Sequence, residues 1–191
     1  MMWGWEVDRP SCVGPPFPVS MNTSTRLAIP DDAHFLFALY SSTREEELRS
    51  VGWDAGQKEA FLRQQFTAQQ ICHATRFLDS EDRIILEDAK PIGRLHVARE
   101  KGEVRLVDIA ILPTYRGRGI GTKLLEELQD QAMRSGLPLC GSVAKSNLSA
   151  VRFYQRLGFV VTGDMETHLQ MEWRGILDGV DGGKNGGAKL G

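Results

Sequence analysis

Asp108-Ile-Ala-Ile-Leu-Pro-Thr-Tyr-Arg-Gly-Arg-Gly-Ile-Gly-Thr-Lys-Leu-Leu125 is the stretch whose reading decides the fold. An apolar strand runs through a proline into a loop carrying Gly117, Gly119 and Gly121, and the first turn of an amphipathic helix follows. Glycine lets the backbone approach a ligand closely, and the first amides of a helix have no acceptor of their own. Such a turn therefore forms a nest for an anion such as pyrophosphate. Each amide bonded to a charged oxygen adds about 1.5 to 3 kcal/mol, and Arg116, Arg118 and Lys123 stand close by. A ligand-free glycine turn is the plain alternative for an isolated Gly-x-Gly-x-Gly. Spacing excludes two nucleotide motifs. A Walker A loop needs lysine directly after its last glycine, where Thr122 stands, and the dinucleotide fingerprint needs a G-x-G-x-x-G spacing that the evenly placed glycines lack.

Working outward, the helix that opens near Gly119 turns Ile120, Leu124, Leu125, Leu128 and Ala132 inward until Ser135-Gly136 stops it. Leu139 to Ala144 then reads as a strand, and strand, helix and strand in sequence predict a crossover between parallel neighbours. On the N-terminal side, three strands joined by tight turns are expected at Arg83 to Glu87, Ile92 to Arg99 and Val104 to Leu112, with the first turn at Ala89-Lys90-Pro91. Before them, Asp54 to Thr75 carries Phe61, Leu62, Phe66, Ala68 and Cys72 on one side of a 3.6-residue wheel, which predicts a long amphipathic helix. The chain enters through a short strand, Arg26 to Ile29, and a helix capped by Asp31 or Asp32. It closes with a helix from Asn147 to Leu157 and strands at Phe159 to Thr162 and Glu166 to Trp173. The class is α/β. Residues 1–23 read as an irregular extension, 24–174 as one folded domain and 175–191 as a flexible glycine-rich tail.

Composition narrows the function. The chain of 191 residues carries 23 Lys plus Arg against 25 Asp plus Glu, with no basic block, so it lacks the electrostatic footprint of a nucleic-acid binder. Phe35 to Tyr40 is the longest apolar run, far short of the roughly 18 residues of a membrane span. The N-terminus has no basic start followed by an apolar stretch, which favours the cytoplasm. Cys12, Cys72 and Cys140 are far apart and are expected as free, buried thiols.

Arg116-Gly-Arg-Gly119-Ile-Gly121 closely resembles the acyl-CoA signature [Q/R]-x-x-G-x-[G/A] of the GNAT-type N-acetyltransferase superfamily. A second motif of that family follows at the right distance, Asn147-Leu-Ser-Ala-Val-Arg-Phe-Tyr154-Gln-Arg-Leu-Gly-Phe159. The resemblance implies a GNAT-like, mostly antiparallel mixed sheet of six to seven strands, flanked by about four helices and split at a splayed parallel pair. It implies acetyl-CoA as the cofactor in that gap. Ile109, Ala110 and Ile111 would offer their strand edge to the pantetheine arm, and Arg116, Gly117, Arg118, Gly119, Ile120, Gly121 and Thr122 would cradle the pyrophosphate. Asn147 would bond the pantetheine end, although it is also a good helix cap in its own right.

Tyr154 lies two helical turns after Asn147 on the same face. A phenol with a reference pKa of about 10 is protonated at neutral pH and can supply the proton that a leaving thiolate needs; packing beside Phe153 and Phe159 is the competing role. An attacking amine must in turn lose a proton. The family uses no single position for this, and Asp108 is ranked ahead of Glu103 and His96. Ser41 to Trp53, with Glu45, Glu46, Glu47 and Trp53, would set the acceptor if it forms a loop; a solvated helix face is the other reading of the Glu run. The chain thus reads as an acetyl-CoA-dependent N-acetyltransferase acting on a primary amine, of a small molecule or of a protein, by direct attack in a ternary complex. No metal, membrane or nucleic acid is implied, and a homodimer stays open. The alternatives are a non-catalytic acyl-CoA-binding module or sensor and a scaffold that docks partners on the long helix.

Overall fold

The computed structural model describes residues 23–175, and the expectations for 1–22 and 176–191, Cys12 included, lie outside the described residues. Among the described residues, seven strands form one sheet in the order β1-β2-β3-β4-β5-β7-β6. In chain order the elements are β1 (Thr23–Leu27), α1 (Ala33–Arg49), α2 (Ala55–Arg76), β2 (Ser80–Glu87), β3 (Lys90–Glu100), β4 (Glu103–Ile111), α3 (Ile120–Arg134), β5 (Leu139–Ala144), α4 (Leu148–Arg156), β6 (Val160–Asp164) and β7 (His168–Trp173), with short 3-10 turns at Pro30–Asp32 and Pro113–Tyr115. Every pairing is antiparallel except β4 with β5, the pair that α3 connects. Among the described residues, no helix is long and apolar enough to cross a membrane.

The core follows the inward stripe of α3. Ile120, Leu124, Leu125, Leu128 and Ala132 pack with Leu95 and Val97 of β3, Val104 and Leu106 of β4, and Leu139 and Val143 of β5. On a strand whose neighbours alternate, that arrangement turns Arg94 and His96 toward the opposite face. There they are as buried as the core, each 4% exposed.

Four sequence expectations change. First, α1 runs past Ser41 to Arg49, so the Glu run lies on the helix of the second reading and not in an acceptor loop, and Arg44 pairs with Glu47 at 2.9 Å along its surface. Helical i,i+3 spacing of opposite charges sustains the segment. Second, Asp32 stands at the N-cap of α1 but gives it no side-chain capping bond. Asp32 instead takes two hydrogen bonds from the Arg26 guanidinium, at 2.6 and 2.7 Å, and one from the Ile29 amide. Third, α2 packs on Leu62, Phe66, Gln70 and His73 rather than on Ala68 and Cys72, and Cys72 is exposed whereas Cys140 is buried. Polar residues fill this inner seam because the sheet face beneath it is polar. Fourth, the β2–β3 turn is Asp88-Ala89, both with positive φ, and Lys90 and Pro91 already belong to β3. A two-residue hairpin between Glu87 and Lys90 needs that left-handed geometry.

Candidate active site

The site begins with an irregularity. Val104, Leu106 and the residue between them pair with Leu139 to Gly141 of β5, and there the pairing stops. At the same point the β3–β4 register shifts: His96 faces Asp108 while Val97 faces Leu106, so Val107 is an extra, unpaired residue in β4. A bulge bends the strand that contains it. Beyond it Asp108, Ile109, Ala110 and Ile111 follow β3, whereas Ser142, Val143 and Ala144 follow β7. The sheet therefore opens between β4 and β5. Contact of β3 with the bent half of β4 depends on Gly93, where a Cβ would stand 2.5 Å from the Ala110 carbonyl oxygen.

The glycine loop closes one end of this gap. Gly117 and Gly119 have φ of 73° and 77°, a region that disfavours side chains. Gly119 occupies the N-cap of α3 without a side-chain cap, and the first helical bond is from the Lys123 amide to the Gly119 carbonyl, 3.0 Å. The amides of Ile120, Gly121 and Thr122 precede that bond and have no acceptor within the helix. Arg116 and Arg118 are turned toward their own loop. Arg116 donates to the Ile111 carbonyl at 2.8 Å and Arg118 to the Thr114 carbonyl at 2.9 Å, with the Arg118 guanidinium over the Tyr115 ring. Gly121 faces α4, where a Cβ would meet Phe153 at 3.4 Å, an ordinary packing distance.

α4 supplies the opposite wall. Asn147 caps it, its side-chain oxygen accepting from the Ala150 amide at 3.1 Å and the Ser149 hydroxyl at 2.9 Å. Two turns later Tyr154 packs edge-on to Phe159 and beside Phe153. It lines a small cavity with Leu106, Gly141, Ser142 and Val143, at the point where β4 and β5 separate. Removal from water, with the negative Asp108 as a second cause, pushes the Tyr154 phenol above its ordinary range. It is protonated throughout the neutral range.

Asp108 is the first paired residue of β4 past the bulge. Its carboxyl stands above the usual carboxylate range because it is withdrawn from water and feels the charge of Asp82; the Arg94 guanidinium, 3.5 Å away, offsets this in part. The other base candidates are placed differently. Glu103 is at the far end of β4 and pairs with Arg105. His96 bonds Ser80 at 3.0 Å and leans on His73 of α2, and burial holds it down to about 4, so it is neutral at pH 7. Tyr154 and Asp108 thus both stand at the opening, near enough for the charge of one to act on the other, and the glycine loop and Asn147 border it. The sequence reading missed Arg94 and Asp82. On β3 the alternation Arg94-Leu95-His96-Val97 reads as an ordinary half-exposed strand. Only Gly93 carries a local hint, since glycine within a strand marks a close approach.

The profile of the acetyltransferase (GNAT) family matches residues 36–159. An L-methionine sulfoximine/L-methionine sulfone acetyltransferase of Salmonella typhimurium is 34% identical across 30% of this chain. A 5-NmdU N-acetyltransferase of Pseudomonas phage PaMx11 is 33% identical across 38% of it. The chain spans only 34% and 61% of the lengths of these two relatives. Among solved structures, the PaiA N-acetyltransferase of Thermoplasma acidophilum in complex with coenzyme A superposes with a TM-score of 0.63 at 18% identity, over 81% of this chain and 99% of that one. At that identity the likeness concerns the fold.

Proposed function

This chain belongs to the acetyltransferase (GNAT) family, and from that premise we propose that it moves an acetyl group from acetyl-CoA to a primary amine by direct attack in a ternary complex. The observation that carries the reading is the opening of the sheet at Val107 opposite an uncapped, glycine-lined helix start. The residues there fit the cofactor. The amides of Ile120, Gly121 and Thr122 and the side-chain-free Gly117 and Gly119 suit a pyrophosphate. The unpaired edge of β4 from Asp108 to Ile111 suits the amides of a pantetheine arm, as an added strand would. Asn147 uses its side-chain oxygen as the helix cap and keeps its amide NH2 for a carbonyl. Arg116 and Arg118 act by shaping the loop whose backbone does the binding.

Acetyl-CoA supplies a thioester carbonyl that an amine can attack. Asp108 accepts the proton that the amine loses as the new N–C bond forms. Tyr154 gives its phenolic proton to the sulfur as the C–S bond breaks and regains one from solvent. Burial raises the proton affinity of the Asp108 carboxyl, which strengthens it as a base, and it keeps the Tyr154 phenol in the protonated form that a donor must have. Arg44 of α1, over the Tyr40 ring, is near enough to act on the charge of Asp108, so α1 borders the space an acceptor would occupy. Its amine belongs to a small molecule or to a protein.

The test is Tyr154→Phe, which keeps the ring against Phe153 and Phe159. Acetyl-CoA affinity should stay within a few fold while turnover falls by about 10²-fold or more, read by calorimetry and by release of free CoA. Turnover within about threefold of the parent, with chemistry rate-limiting, would make Tyr154 a packing residue.

A further inference from the structure

Beneath the opening lies an ionic system, a buried arginine between two half-buried aspartates, whose arginine and second aspartate the reaction as described does not use. Arg94 of β3, with 4% of its side chain exposed, gives two charge-assisted hydrogen bonds to Asp82 of β2, at 2.7 and 2.9 Å. The same Nη2 also donates to the side-chain oxygen of Gln70 on α2 at 3.1 Å. What is left for Asp108 is Nη1 at 3.5 Å, too long for a hydrogen bond and within Coulomb range only. One guanidinium is shared unequally between two carboxylates, and the weaker share goes to the group at the reaction centre.

We propose that Asp82 and Arg94 are a positioning pair for Asp108: by holding the guanidinium fork, Asp82 keeps Arg94 from closing on Asp108 and so leaves that carboxylate free to take up and release a proton. This rests on the reading of Asp108 as the proton acceptor. A carboxylate in a full ion pair with arginine falls by about 1–3 pH units and becomes a poor base. A carboxylate buried with no cation near it would stay protonated and accept nothing. The shared arrangement sits between these limits. The other groups around Asp108 do not replace it. His96 lies opposite on β3 and His73 behind it on α2, both held down by burial, His96 to about 4. Arg44 on α1 adds a smaller positive potential, and Tyr154 on α4 is neutral. Asp82 is the one other negative charge that acts on Asp108 among the described residues.

The experiment follows the Asp108 carboxyl by carbon-detected NMR titration in the full chain, alongside the pH profile of turnover. In Asp82→Asn the fork is released and a like charge is removed, so the Asp108 midpoint should fall by about one pH unit or more. The acid limb of turnover should move the same way and the plateau should drop. Asp82→Glu keeps the charge and should hold the midpoint near the parent value. An unmoved midpoint in Asp82→Asn, or an equal fall in Asp82→Glu, overturns the proposal. Arg94→Lys gives an independent arm should Asp82→Asn not fold. An ammonium cannot span both carboxylates as a planar fork does, so the Asp108 midpoint should rise; no change or a fall overturns the proposal. Asp108→Asn is measured separately. Parent-like turnover there would sink Asp108 as proton acceptor without bearing on whether Asp82 and Arg94 set its titration.

Discussion

The two faces of the sheet are built by different means. The face under α3 and α4 is apolar and continuous, from Ile85 and Leu95 through Leu124, Leu125 and Leu128 to Val143 and Phe159. The face under α1 and α2 buries Leu36, Leu39 and Ile84 together with Arg94 and His96, Ile84 standing directly beside Arg94, while every residue of α2 keeps some access to water. On the first face the groups proposed to bind the cofactor are backbone amides, fixed once a helix starts where a glycine turns left-handed. On the second the polar groups are side chains, each of whose charge or ring nitrogen must be answered by a partner from another element. The proposed cradle is therefore a local structure resting on a core, and the proposed proton-handling side is a network spread over four elements.

The comparison is sharpest at Gly119. Gly119→Glu forces a side chain into φ of 77° and places a carboxylate at the helix start where the amides are unpaired. Calorimetry should show acetyl-CoA affinity falling by at least about 10²-fold, a loss near 3 kcal/mol, with far-ultraviolet circular dichroism unchanged. Parent-like affinity would mean that the loop is a turn and the cofactor lies elsewhere.

Acid should loosen the other face first. His96 is held down to about 4 against an ordinary value near 6.5, chiefly by burial and then by Arg94, and His73 is lowered as well. Between these values the unfolded chain binds the proton and the native one does not, so stability is fully present above about pH 6.5 and declines as pH falls toward 4. For His96 the full loss is about 3 kcal/mol, reached below pH 4. Denaturant titrations of the parent and His96→Gln should converge as pH drops. Parallel curves would show that this histidine charges freely.

The smallest effect separates the two duties of Asn147. Asn147→Ala removes the cap of α4 and should cost about 1 kcal/mol of stability, whereas Asn147→Ser keeps a capping oxygen and most of that stability. If the amide NH2 also serves the cofactor, the serine variant should still bind acetyl-CoA several fold more weakly. Equal affinity would leave Asn147 as a cap alone.

The sequence by itself determined the order of most elements and the turn of the glycine loop, because both are local. Periodicity over Ile120 to Ala132 fixes the α3 stripe, and Gly117 and Gly119 mark the backbone that must turn. Asn147 and Tyr154 share a face because seven residues make two turns. The tertiary structure alone decided what covers each face. Arg94-Leu95-His96-Val97 alternates like a strand with one wet side, and nothing within it says that α2 will cover that side. Nor does Val107 announce itself as the bulge that parts β4 from β5. Burial of Arg94 follows only when Asp82, Gln70 and Asp108, drawn from β2, α2 and β4, converge on one guanidinium. A buried charge is tolerated only where such partners meet, and chain-distant partners leave no periodic trace in the sequence.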